Sequence, residues 1–523
     1  MSFPMNRLVL CSGLALALFT AACGGGGNGA ITGTPAPPAS AGPYSNASLN
    51  GTFAFQMSGQ ETTSGGFFAR VGSFAANGAG IITGGVEDVN SQAVGSVILP
   101  FSGGSYSIQS NGQGTLSLIN QTGTLQFSIL MTSATSGLLT EVDGGASASG
   151  NFTVQTPSTF SVANINTSYV FDFSGVDPNN VPESIVGQFT GNGGGGATGV
   201  LDDNDGAVAS GVSAFSSASF TMDTTNGPSF GRGIANIAGL NFAFYIVNGS
   251  KIRFMETDFP ALLVGDATAQ SGTIPTTAAG LSGSFALVMS GASLSGSDAR
   301  GGRVMLSGGV VSNIQMDDNA SSASGSGNSN PEPIPSGSIS AATYAVDGSV
   351  PGSGRGTLTF TDSKLGTFSF IFYLISPTQA VIQDNSAGFV SDGSMFGQSG
   401  SPTLAAEAGN WGFSWAGQSI NGTTGGFGEE DFLGQYKLSS AGAISGGVDF
   451  TELSAPAVAT NIAITGTLSI QGDGTGRNGY QVKLNTSPSA TLNFSAYFVD
   501  PNTMFVIGTD THRTITGTVV RNF

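Results

Sequence analysis

Charge is what this chain has least of. Asp, Glu, Lys and Arg together make up 9% of its 523 residues, against about 25% in an ordinary globular domain. The few charges lean one way, with 14 Lys+Arg against 32 Asp+Glu and a net charge of −18. A nucleic-acid binder needs a basic footprint to displace phosphate counterions, so no nucleic-acid partner is expected. Anionic lipid headgroups are disfavoured as electrostatic partners for the same reason. Histidine occurs once, at His512. That residue type is the commonest general base, and here an exposed turn is its expected setting. With no HExxH pair and no Cys/His cluster, a zinc site is not expected. Gly runs such as Gly193 to Gly196 lack the Lys and the following helix of a phosphate loop and read as turns. Glu, Lys, Arg and Gln favour long helices, and the scarcity of charged residues argues against a helical body.

Glycine and phenylalanine are what the chain has in quantity. Gly contributes 82 residues, with no three-residue period, and Phe contributes 36. A hydrophobic fraction of 39% is enough to build cores, which argues against general disorder. Short strands joined by small polar turns fit this composition.

The first 22 residues read as an export signal. Asn6-Arg7 is a short positive start, and Leu8 to Phe19 is an apolar stretch too short to span a bilayer. Thr20-Ala21-Ala22-Cys23 then resembles the lipobox of bacterial lipoproteins. Ala21 and Ala22 match its small positions and Cys23 its lipidated acceptor, while Thr20 stands where Leu is usual. The resemblance implies cleavage before Cys23 and a lipid anchor there, hence a membrane partner through that anchor. It also implies a bacterial cell-envelope location, periplasmic or surface-exposed. Cysteine usage agrees: of two cysteines, Cys11 leaves with the signal, so Cys23 has no intrachain partner. Residues 23–48 are rich in Gly, Pro, Ala and Ser and read as a flexible tether.

The remainder is one unit repeated four times. Its opening recurs as Gly51-Thr-Phe-Ala-Phe-Gln-Met-Ser-Gly59, Thr167-Ser-Tyr-Val-Phe-Asp-Phe-Ser-Gly175, Gly283-Ser-Phe-Ala-Leu-Val-Met-Ser-Gly291 and Gly409-Asn-Trp-Gly-Phe-Ser-Trp-Ala-Gly417. Large apolar residues alternate in each, placing them on one face of a strand. Val71-Gly-Ser-Phe74, Val186-Gly-Gln-Phe189 and Leu433-Gly-Gln-Tyr436 also match, as do Gly112-Gln-Gly-Thr-Leu116, Gly354-Arg-Gly-Thr-Leu358 and, more loosely, Gly231-Arg-Gly-Ile234. Asn77-Gly78 and Asn192-Gly193 mark hairpins. The units are assigned to 49–158, 164–275, 280–400 and 406–523, with a Ser/Gly/Pro/Asn loop at 321–337 in the third.

Each unit holds about eight strands in sequence order, so the expected fold is all-β. The units are antiparallel, each an up-and-down barrel, with a two-sheet sandwich as the alternative. Gly409-Asn410-Trp411 is similar to the opening of lipocalin barrels.

One acidic feature recurs after the third strand. It reads Glu87-Asp88, Asp202-Asp203-Asn204-Asp205, Asp317-Asp318-Asn319, and Asp449 with Glu452. Asp and Asn favour turns in their own right. Clustered carboxylates also suit calcium, which makes Asp202, Asp203, Asp205, Asp317 and Asp318 the candidate ligands. No other cofactor and no catalytic constellation is indicated. The expected function is a non-enzymatic envelope lipoprotein using its repeats for adhesion, scaffolding or binding of a protein, glycan or small ligand. An apolar-ligand carrier with open barrel interiors, or a polysaccharide-active enzyme with two facing carboxylates, are the alternatives.

Overall fold

Period-two alternation puts Phe53, Phe55 and Met57 on one face of the strand Asn50–Glu61, and all three are buried. The strand that follows, Phe67–Asn77, pairs with it antiparallel, Phe53 opposite Phe74. Asn77-Gly78 then turns the chain into Ile81–Ser91; Gly78 has φ +75°, a value a side chain resists. The same opening recurs at Ser168–Val176, Gly283–Ser293 and Gly409–Ile420. The computed structural model describes residues 43–523, apart from 157–158, 207, 294–295, 321–338, 364–365, 421–426, 454–456, 473–475, 488, 512 and 523. Cys23, the signal, most of the tether, His512 and the 321–337 loop lie outside the described residues.

Each unit closes on itself. The last strand returns to pair with the first, bringing Val154 opposite Phe53, Ala269 opposite Tyr169, Gly397 opposite Phe285 and Arg521 opposite Trp411. The result is four antiparallel barrels of eight strands, not sandwiches. In the first two, a short extra strand, Gly95–Phe101 or Val208–Ala209, adds to the third strand. The one α-helix among the described residues is the single turn Leu404–Glu407, capped by the Thr403 side chain. No helix there is long and apolar enough to cross a membrane.

The barrels are filled. Barrel 4 stacks Phe413 on Trp415 with ring centroids 3.9 Å apart, and barrel 2 stacks Phe171 on Phe173 at 4.7 Å. Each interior is one continuous apolar cluster. The recurrent Val/Leu-Gly-x-aromatic motif has its reason here. At Gly72, Gly187 and Gly434 a Cβ would come within 2.6, 2.5 and 2.4 Å of the rings of Phe55, Phe171 and Phe413. The glycine therefore makes room for an aromatic from the neighbouring strand. Tyr44 and Leu49 belong to the core of barrel 1, so its folded part starts inside the segment read as tether.

Apolar patches on the outer walls join the barrels in order. Val71 and Val86 meet Tyr245, Met255 and Leu262 between barrels 1 and 2. Val170 and Val186 meet Ile371 and Tyr373 between barrels 2 and 3. Ala286 and Ala299 meet Tyr497 and Ile507 between barrels 3 and 4. Barrel 4 then touches barrel 1, where Gln435 Nε2 donates to Gln113 Oε1 at 2.9 Å and Leu130 fills the space over Gly412. Four barrels thus form a closed ring.

Candidate functional site

The recurrent acidic residues lie on strands, not turns, and the structure separates them by which way they face. Asp202 and Asp317 point outward into the next barrel. Asp202 takes Arg355 Nε and Nη2 at 2.7 Å each and the Tyr373 hydroxyl at 2.7 Å. Asp317 takes Arg477 Nη2 at 2.8 Å and the Tyr497 hydroxyl at 2.6 Å. Asp88 makes the same arrangement with Arg232 (Nε and Nη2 at 2.7 Å) and Tyr245 (2.7 Å). These are bidentate, charge-assisted contacts between a carboxylate in one barrel and a guanidinium in the next. Burial and the adjacent carboxylate push the tyrosine hydroxyls well above their ordinary pKa.

Two amides complete each clasp. Asn90 Nδ2 donates to the carbonyls of Glu256 (2.8 Å) and Ala261 (3.1 Å); Asn204 reaches Asp384 and Phe389, and Asn319 reaches Gly508 and Arg513. From the linkers, Gln155, Gln270 and Gln398 each donate into the following barrel. The Arg and Tyr partners escaped the sequence reading. The signal was present in the matching Gly231-Arg232-Gly233 and Gly354-Arg355-Gly356, but the acid that each meets is 144 or 153 residues away in the preceding repeat.

Asp203, Asp205 and Asp318 are placed otherwise. Asp318 faces the interior of barrel 3, with its carboxylate 3.5 Å from Arg300 Nε. Asp203 and Asp205 lie at the mouth of barrel 2 beside Glu183. Burial and the Asp205 charge raise Asp203 to about 6. Among the described residues, no group of three or more His, Cys, Asp or Glu side chains is arranged to hold a metal ion.

Where all four barrels converge there is a cavity of about 340 Å³. Each barrel gives it the end of its first hairpin: Ser58 and Gln60, Ser174 and Ser184, Ser290 and Ser297, Gln418 and Glu429. Thr514, Thr516 and Asp392 complete a wall of hydroxyls, amides and carboxyls. Ser184 Oγ donates to Asp392 Oδ2 at 2.9 Å across the barrel 2–3 seam. Burial raises Asp392 to about 6 against the hydrogen bonds from Ser184 and Ser174 that lower it. Burial and the neighbouring Asp431 and Glu430 charges also raise Glu429 well above the carboxylate range. A carboxyl that burial keeps protonated, as it favours for Glu429, can donate a hydrogen bond as well as accept one. The cavity therefore presents hydroxyls, amides and carboxyls beside the apolar side chains of Phe67, Val264 and Val390.

No protein-family model and no curated relative matches the chain. Among solved structures it is similar to intact Ap-TbpB with its N and C lobes, at 10% identity over 76% of this chain and 86% of that one, TM-score 0.17. It is similar at 9% identity to the isotype 1 transferrin binding protein B of serogroup B Neisseria meningitidis, over 76% and 83%, TM-score 0.18. Likeness this low leaves the chain's own geometry as the basis for its function.

Proposed function

We propose that this is a non-enzymatic, lipid-anchored envelope protein in which a rigid ring of four barrels serves as a binding scaffold. The observation that carries the reading is the contrast between interior and axis. The barrel interiors are packed with aromatic side chains, whereas the cavity shared by all four barrels sets Ser, Thr, Gln and carboxyl groups among a few apolar side chains. A carrier of apolar ligands needs an open apolar interior, and filled barrels favour the scaffold. Cys23 supplies the anchor, and the chain between it and Tyr44 sets the ring off from the membrane surface.

Two measurements test this. In the native host the protein should fractionate with membranes, and Cys23→Ser should release it or block its processing; unchanged partitioning and mass would remove the anchor. The purified chain titrated with a fluorescent fatty acid should show no saturable uptake. Stoichiometric binding of the probe would instead establish the carrier.

A further inference from the structure

The four mouths can be compared position by position through strand register: barrels 1 and 3 place an inward arginine where barrel 2 has Ile185 and barrel 4 has Phe432, and barrel 4 pairs its Glu430 with Arg513 instead. In barrel 3, Arg300 points inward two residues after Asp298 and opposite Asp318. Its guanidinium lies among three carboxylates: Nε is 3.5 Å from Asp298 and 3.5 Å from Asp318, and Nη1 is paired with Asp384. The Phe389 ring stacks against it, 3.8 Å from Cζ to the centroid. Barrel 1 has Arg70 at the corresponding place, 3.4 Å from Glu87 and 3.6 Å from Glu141.

Barrel 2 keeps the acids and omits the arginine. Glu183, Asp203 and Glu256 occupy the positions of Asp298, Asp318 and Asp384. Ile185 stands where Arg300 does, and Ala261 where Phe389 does, both smaller side chains. Glu256 is 1% exposed, yet its Oε2 has no hydrogen-bond partner, and neither has the buried Asp203 Oδ1. Among the described residues no ion pair involves Glu183, Asp203, Asp205 or Glu256. Burial and the charges of Asp203, Asp205 and Asp177 raise Glu183 to about 8. Burial, Glu183 and Asp258 raise Glu256 to about 8, against one backbone hydrogen bond from Leu263. Buried acids without a cation hold protons in this way.

We propose that the mouth of barrel 2 is a receptor for a guanidinium group supplied by a ligand, as on a free arginine derivative or an arginine side chain of a peptide. The chain itself shows the occupied form, because Arg300 fills the equivalent space between equivalent carboxylates in barrel 3. A planar fork of N–H donors matches carboxylates better than a compact ammonium does. Glu183 also borders the axial cavity, but Asp203 and Glu256 do not, and the scaffold reading needs no arginine at this mouth, so failure of either leaves the other standing.

Isothermal titration of the mature chain with arginine amide and with Gly-Arg-Gly amide, at fixed ionic strength, tests it. Saturable one-site binding is expected. Lysine amide should bind at least about tenfold more weakly. If only the tripeptide binds, the guanidinium arrives on a peptide; if both bind, the group alone suffices. Either result supports the site. Displaced protons from Glu183 and Glu256 should make the heat at pH 7 differ between buffers of different ionisation enthalpy. Glu256→Gln and Asp203→Asn should each weaken binding at least about tenfold. Ile185→Arg rebuilds the barrel 3 arrangement, so it should fold and abolish binding, while Ile185→Leu should retain it. Absence of saturable binding to the unaltered chain overturns the proposal, as does unchanged affinity in Ile185→Arg. A calcium response in place of an arginine response overturns it too.

Discussion

Three seams of the ring are clasped by an ion pair on a buried carboxylate, whereas the fourth, where barrel 4 meets barrel 1, is held among the described residues by amides, hydroxyls and a carboxyl without a cation. Asp449 keeps the acidic position, but barrel 1 has Gln113 and Leu130 where the other barrels have Arg and Tyr. Thr451 replaces the clasp asparagine, and Ser147 bridges it to Asp431, with contacts of 2.7 and 2.8 Å. A carboxylate buried at an interface is stable only with its cation present. Without one, Asp449 accepts hydrogen bonds from Ser128 across the seam and from the Asn461 backbone N–H within its own barrel. Only Asn522, donating to the Asn111 carbonyl at 3.3 Å, preserves the linker amide of the other seams. Consecutive barrels are also joined by chain, and the closing pair is not. The seam with no covalent connection thus also lacks the charge-assisted clasp, and if the ring is forced apart this seam is expected to part first.

Breaking a clasp should give the largest effect. Arg355→Ala strands the buried Asp202 carboxylate and the Tyr373 hydroxyl beside it. Removing one partner of a buried pair costs about 3–5 kcal/mol, to be read as a lowered urea midpoint at unchanged slope. Ser147→Ala at the closing seam removes neutral hydrogen bonds worth about 1 kcal/mol each. Equal losses from the two substitutions would erase the distinction between the seams.

Acidity gives a second, smaller contrast. Burial raises Asp431 to about 7, with Ser149 and Ser147 hydrogen bonds opposing. Its ordinary pKa is 3.8, so between these values the folded seam holds a proton that the opened chain releases. Stability of the seam therefore falls as pH rises from about 4 to 7. Glu429, raised by burial and by Asp431 and Glu430, adds in the same direction. Hydrogen exchange, corrected for its intrinsic pH dependence, should show strands Gly123–Met131 and Phe427–Leu438 losing protection between pH 5 and 8. The clasp strand Arg355–Asp362 should change less in the region of Arg355. Uniform loss around the ring would mean that the seam is not the weak point.

What could be read in advance divides along the same line. Alternation around Phe53 and Phe171, the Asn-Gly turns and the recurring glycines report contacts within one repeat, and they were enough to give about eight antiparallel strands per unit and to favour a barrel over a sandwich. Asp88, Asp202 and Asp317 were visible as a recurring acid, but a period of two does not say what lies beyond the outer wall. Their partners are in the next repeat, and only the correlated change of Arg to Gln113 and Tyr to Leu130 marks the exception. The axial cavity was illegible for a related reason. Ser58, Ser174 and Ser290 look like ordinary solvent-facing strand residues until four outer walls are brought together.

The smallest expected effect comes from grafting the clasp onto the closing seam with Gln113→Arg and Leu130→Tyr. Register puts these two positions opposite each other, as Arg232 is opposite Tyr245 and Arg355 opposite Tyr373. Asp449 occupies the position of Asp88 and Asp202, and it is raised by burial for want of a cation. An arginine there should return it to the ordinary carboxylate range and supply a charge-assisted bond. Against that stand the lost Gln113–Gln435 hydrogen bond and the fit of Leu130 over Gly412. These terms nearly balance for either single change, so each alone should shift the urea midpoint little or lower it. The pair should do better than the sum of the singles, because the tyrosine and the arginine share one carboxylate. A coupling energy of about 1 kcal/mol is expected from the double-mutant cycle, together with a narrower pH dependence of the seam. Additive singles would mean that the three clasps are packed ion pairs set side by side and that tyrosine is dispensable to them.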